Sequence, residues 1–216
     1  MTPGERFAIS TSLAQSVAPY VTPETITQRT VHARIIGQLM DERNVRRWVG
    51  RSETARWYNG QAEAHGWNAR FWEQRALAAT NLESWERAES YAEQAVHILP
   101  DAFTLNTLGT TLLRKALAET EQGSEARWDY YRRAISALAS SRTEGRDRFM
   151  HPYITFFDYT LRLGREEHAK SGTAPRLFVE AWQDWIARAR ASAIFQEDAL
   201  SEQLNGYVTE WLLVTT

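Results

Sequence analysis

The 216-residue chain contains no cysteine, which excludes a disulfide framework, Cys-ligated zinc and a thiol nucleophile. No stretch approaches the ~18 continuous apolar residues that a membrane-spanning helix needs. The N-terminal run FAISTSLAQSVA, after Arg6, is too polar for the core of a secretory signal. An excess of one charge is also missing. The 25 Lys+Arg and 27 Asp+Glu leave a net −2, which removes the electrostatic argument for a dedicated nucleic-acid or anionic-membrane binder. Lysine is nearly absent, with only Lys115 and Lys170, so the positive charge is almost all guanidinium. There is no low-complexity tract. A cytoplasmic protein without membrane contact is expected.

What is present points to helices. The chain is 43% hydrophobic and carries nine tryptophans, a load suited to aromatic packing between helices. Thr22-Pro23-Glu24 and Ser52-Glu53 read as helix starts, and Gly66 as a stop. Asn68 is an N-cap, with Trp67 and Trp72 at the two positions of a hydrophobic staple. The pattern predicts helices from there to about Asn81, over Trp85 to Ile98, from Ala102 to about Leu117, and from Glu125 to about Ser140. A fifth opens at Pro152 and ends near Gly164, a sixth opens at Pro175, and Leu200, Leu204, Val208, Trp211 and Leu212 stripe a last one. No credible strand pattern occurs, so the fold class is all-α.

Two of these pairs repeat. Trp72, Ala76, Ala88, Ala95 and Pro100 follow the tetratricopeptide intervals: a large residue, a small one four on, alanines in the second helix and a closing proline. Leu105, Leu108, Gly109 and Leu112 begin a second copy, with Leu105 lying 33 residues after Trp72. Tyr131 and Ala134 fit its second helix. Its turn is about six residues longer than the motif, and Arg127 stands where a small residue belongs. The chain therefore resembles a tetratricopeptide-repeat (TPR) protein. This implies an α-solenoid of antiparallel helix pairs with flanking capping helices. Residues 1–66 would form the N-terminal capping region, 67–140 the two repeats, and 141–216 a degenerate pair with a C-terminal cap.

A wider resemblance covers roughly residues 20 to 165. WNARFWEQRALAAT, DAFTLNTLGTTLLRKA and HPYITFF are similar to the C-terminal helical region of bacterial STAND-type P-loop NTPases, and the upstream VTPETITQRTVHARIIGQLMDERNVRRWVG is similar to the segment that joins their ATPase core to the repeats. Several of these carry a sirtuin-like domain and act in phage defence. The resemblance implies a partner-sensing region whose nucleotide chemistry lies elsewhere. The chain would be a sensor fragment or a stand-alone relative, and Met1 favours the latter.

Catalytic patterns are weak. Gly164-Arg165-Glu166-Glu167-His168-Ala169-Lys170-Ser171 comes within one residue of a P-loop, but it follows a helical segment and its glutamates would repel phosphate. An interhelical loop is the expected reading. No histidine has a carboxylate three residues before it, and no two stand four apart. His151 and Asp158, seven apart, could form a dyad in a helical-bundle enzyme; a helix-start His and a solvated Asp is the blander account. No catalytic residue, metal ligand or cofactor is assigned. Arg43, Arg46, Arg47 and Arg51 fall on one helical side and could grip a phosphate, an acidic partner or a nucleic-acid backbone, as in a nucleotide- or nucleic-acid-responsive regulator, or simply form a solvated face.

The leading expectation is a non-catalytic sensor or scaffold that binds a protein, either a peptide or a folded domain, within a larger or oligomeric assembly. Counting from Trp72 and Leu105 as core positions, its concave groove would present Arg70, Glu73, Leu77, Thr80 and Asn81, then Phe103, Asn106, Thr110, Leu113 and Arg114. Such a mixture can hydrogen-bond a peptide backbone and bury an apolar side chain. It lacks the Lys and Asn cluster of carboxylate clamps.

Overall fold

A computed structural model describes residues 66–146, 148–173, 175–196 and 198–215. The helix starts expected at Thr22 and Ser52 and the Arg43/Arg46/Arg47/Arg51 ridge lie outside them. Among the described residues there is no strand, and the secondary structure is helical throughout. The helices are α1 (Ala69–Asn81), α2 (Trp85–Ile98), α3 (Ala102–Glu119), α4 (Glu125–Glu144), α5 (His151–Ser171), α6 (Arg176–Ala191) and α7 (Asp198–Thr215), with a 3-10 turn at Ala193–Gln196. None of them is long and apolar enough to cross a membrane. The chain divides into two compact units, Met1–Ile98 and Leu99–Thr216, and the boundary falls between the two expected repeat copies.

In the first unit, α1 begins where its cap residue dictates. The Asn68 side chain accepts the Arg70 N–H at 2.9 Å. Trp67 stays 72% exposed, while Trp72 tethers the helix start by donating its indole N–H to the Gly66 carbonyl at 2.7 Å. The turn into α2 closes as a Schellman motif: Ser84 N–H reaches the Ala79 carbonyl, Glu83 N–H reaches that of Thr80, and Glu83 takes the left-handed φ of 56°. Ala76, Ala88, Ala92 and Ala95 are fully buried, so the α1/α2 backbones can approach closely. Trp72 lies 5.5 Å from the Tyr91 ring of α2, and Arg75 caps that ring while bonding its hydroxyl at 2.9 Å.

In the second unit, α3 opens on a reciprocal capping box. Asp101 accepts the Phe103 and Thr104 N–H groups, and Thr104 accepts the Asp101 N–H, each at 3.1 Å. The α3/α4 pair comes close at Gly109, where an added Cβ would stand 2.6 Å from Leu138 Cγ. Helix α5 packs on both α3 and α4, while α6, the 3-10 turn and α7 close over it. Their shared core is aromatic. Trp182 stacks on Trp211 at 4.3 Å, Phe156 stacks on Trp185 at 4.4 Å, and Tyr131 meets Phe178 edge-on at 4.5 Å.

One boundary departs from expectation. Helix α5 does not stop near Gly164 but runs to Ser171, and Gly172 closes it in the left-handed conformation with φ 74°. The P-loop-like segment is therefore neither a phosphate loop nor an interhelical loop; it is the last third of α5. Gly164 serves close packing instead, since a Cβ there would stand 2.9 Å from Trp211 Cζ3.

Candidate partner-binding surface

The ten groove candidates separate by burial. In the first unit, Arg70 and Glu73 are buried and bonded to each other at 2.5 Å. Thr80 is fully buried, its hydroxyl turned back to the Ala76 carbonyl at 2.7 Å. Leu77 is half-buried and Asn81 is exposed at the helix end. In the second unit, Leu113 is fully buried within the core cluster and is corrected from groove to core. The cause is geometric: α3 is covered by α4 on one side and α5 on another, which narrows its free face.

Phe103, Asn106, Thr110 and Arg114 remain half-exposed at spacings of three, four and four, on one face of α3. That face runs beside α5. The Phe103 and Phe149 ring centroids lie 4.7 Å apart, and Phe149 stacks in turn on His151 at 4.6 Å. Further along, the Thr110 and Thr155 hydroxyls are 3.5 Å apart. Both contacts ascend in the same chain direction, so α3 and α5 run roughly parallel here. The Thr110 hydroxyl donates to the Asn106 carbonyl at 2.8 Å. The Asn106 side-chain oxygen is buried and finds no hydrogen-bond partner among the described residues. The face thus carries the Phe103 ring at one end, backed by the buried Phe149, Asn106 and Thr110 in the middle beside the buried Thr155, and the Arg114 guanidinium at the other end. Thr155, Phe149 and His151 were not singled out from sequence as neighbours of this stripe. A lone Thr in the aromatic HPYITFF run was the only local signal.

The His151/Asp158 pair forms no hydrogen-bonded dyad. Seven residues of helix separate the two by about 10 Å of rise. Asp158 instead accepts the Tyr207 hydroxyl at 2.5 Å. Burial first, then that bond and the Asp158 charge, push the Tyr207 phenol up to about 12. His151 sits at the exposed rim, yet enough protein surrounds its ring to lower its pKa from the ordinary value by desolvation. Among the described residues no three His, Asp or Glu side chains gather as a metal site requires.

A second polar cluster lies at the far end of α5. Arg127, 1% exposed, donates to Glu167 and to Glu166 at 2.8 Å each, and to the Thr120 hydroxyl at 3.1 Å. Gly123 N–H also reaches Glu167, at 3.0 Å, and Lys170 donates to the Gln122 carbonyl. No family model, curated protein or solved structure matches the chain.

Proposed function

We propose that this protein is a non-catalytic interaction module of tetratricopeptide-like helix pairs, a cytoplasmic sensor or scaffold that holds a protein partner. The observation that carries the reading is the half-exposed line Phe103, Asn106, Thr110 and Arg114 on α3, beside Thr155 of α5. Eleven residues of helix span about 16 Å, room for about five residues of extended peptide. An apolar side chain would settle against the half-exposed Phe103 ring, which the buried Phe149 backs, the Asn106 amide nitrogen would donate to the partner's backbone, and Arg114 would meet an acidic or carbonyl group. The alanine seam of α1/α2, the Gly109 seam of α3/α4 and the packing of α5 on both members of the preceding pair all fit a tetratricopeptide arrangement. The resemblance to the helical regions of STAND-type NTPases suggests, as its setting, partner sensing in a bacterial anti-phage system.

The test joins capture to mapping. Tagged protein carrying a photo-crosslinking residue at Thr110 is irradiated in host lysate, alongside the same protein with Asn106→Ala and Arg114→Ala. A discrete adduct that disappears in the double variant, with an unchanged melting curve, supports the reading. Identical adducts in both proteins would move the interface off this face.

A further inference from the structure

Three oddities of the sequence meet at one place in the fold. The α3–α4 turn is overlong, Arg127 replaces a small residue, and the P-loop-like stretch lies in the last third of α5. Residues Thr120, Gln122, Gly123 and Arg127 from the first two make five bonds among themselves and to Glu166, Glu167 and Lys170 of the third. Both members of the central ion pair are buried, Arg127 at 1% and Glu167 at 4% exposure.

Buried ion pairs contribute little net stability, because desolvation offsets their attraction, but they penalise every packing that separates them. Helix α5 needs such a penalty. Its buried Tyr153, Phe156, Phe157, Leu161 and Leu163 are apolar, with the three rings packed on α6, the 3-10 turn and α7. Toward α3 it offers the Thr155 hydroxyl, 3.5 Å from that of Thr110. Non-directional apolar packing tolerates displacement by a helical turn, about 5.4 Å. Gly164 fits α5 closely to Trp211 of α7, so the two would shift as one body against α3/α4. A one-turn shift in either direction would carry Glu167 out of reach of Arg127 and bury both charges unpaired.

We propose that Arg127 with Glu166 and Glu167 is a register key: it selects which turn of α5 faces α3 and so decides which residues stand beside Asn106 and Thr110. The device is independent of whether that face binds anything.

The absence of cysteine makes the test clean. Three engineered pairs report the register under mild oxidation: Thr110→Cys with Thr155→Cys for the native packing, and Thr110→Cys with His151→Cys or with Tyr159→Cys for one turn either way. A one-turn displacement moves Cα atoms in or out of disulfide range. With Arg127 and Glu167 intact, only the 110–155 pair should close. In the Arg127→Met/Glu167→Leu background, the chain should fold with a melting temperature equal or higher, lose that exclusivity, and close a displaced pair as well. A Glu166→Gln/Glu167→Gln background, which keeps side-chain size, should lose exclusivity too. Exclusive 110–155 closure in both backgrounds would overturn the proposal. So would failure of the apolar pair to fold, because the ions would then hold the fold together rather than choose its register.

Discussion

Three glycines inside helices of the second unit allow one substitution to be tested in three environments. Replacing Gly by Ala in a helix interior gains about 1 kcal/mol from backbone entropy wherever the methyl group has room. At Gly206 of α7 the added Cβ meets nothing within 4 Å, so Gly206→Ala should stabilise by most of that amount. At Gly109 the same Cβ would lie 2.6 Å from both Leu138 Cγ and Cδ2, and 3.3 Å from the Ala134 carbonyl. Leu138 is fully buried, and Cγ is not the free end of its side chain, so α3 and α4 must separate. Overpacking of this kind costs about 1–3 kcal/mol. Gly109→Ala should therefore end about 1–3 kcal/mol less stable than Gly206→Ala, with Gly164→Ala between them because its clash is a single Trp211 ring atom at 2.9 Å. Urea unfolding followed by circular dichroism and tryptophan fluorescence gives the midpoints, compared at constant m-value. Equal upward shifts for Gly109→Ala and Gly206→Ala would refute the close approach of α3 and α4.

Arg127→Ala alone should destabilise the second unit by about 3–5 kcal/mol, because it leaves the Glu167 carboxylate buried without its partner; a loss below about 1 kcal/mol, measured by the same unfolding, would contradict the burial. Tyr131→Phe removes a fully buried hydroxyl that has no hydrogen-bond partner among the described residues and whose pKa burial raises. Its stability should stay level or rise by up to about 1 kcal/mol, and a clear fall would reveal a partner for that oxygen. Tyr207 should ionise only near pH 12, read as loss of its phenolate absorbance in Tyr207→Phe. Its folded pKa is raised above the unfolded value of 10, so its contribution to stability is complete below pH 10 and is lost as pH rises from 10 to about 12. An Asp158→Asn variant whose Tyr207 titrates unchanged would refute the part of the shift assigned to that carboxylate.

The starts of the helices were legible because they are written in local chemistry. Asn68, Asp101 and Ser124 each bond the first-turn N–H groups as their residue types require. The ends were less so. Gly164 reads as a stop from sequence, yet it sits mid-helix because α7 must come close, while Gly172, eight residues on, supplies the left-handed turn. A glycine's two uses, conformational freedom and absence of bulk, look alike in one dimension. Glu83 shows the converse: it holds a left-handed position that glycine usually takes, so nothing in its identity announces the end of α1.

The candidate surface was half legible for a related reason. Helical spacing fixes which residues share a face, so Phe103, Asn106, Thr110 and Arg114 do align. Spacing does not say which neighbours cover the next face. Leu113 follows Thr110 by three residues and would extend the stripe on a helix with one covered side. With α4 and α5 both against α3, the free arc shrinks and Leu113 turns inward. Arg127 is the clearest instance. As a mismatch to the repeat it looked like decay of the motif, but Glu166 and Glu167, about forty residues away in the chain, make the mismatch intelligible as one half of a pair. A residue that breaks a local pattern is best read as evidence of a distant partner, and in this chain the partner was the other segment that fitted no pattern.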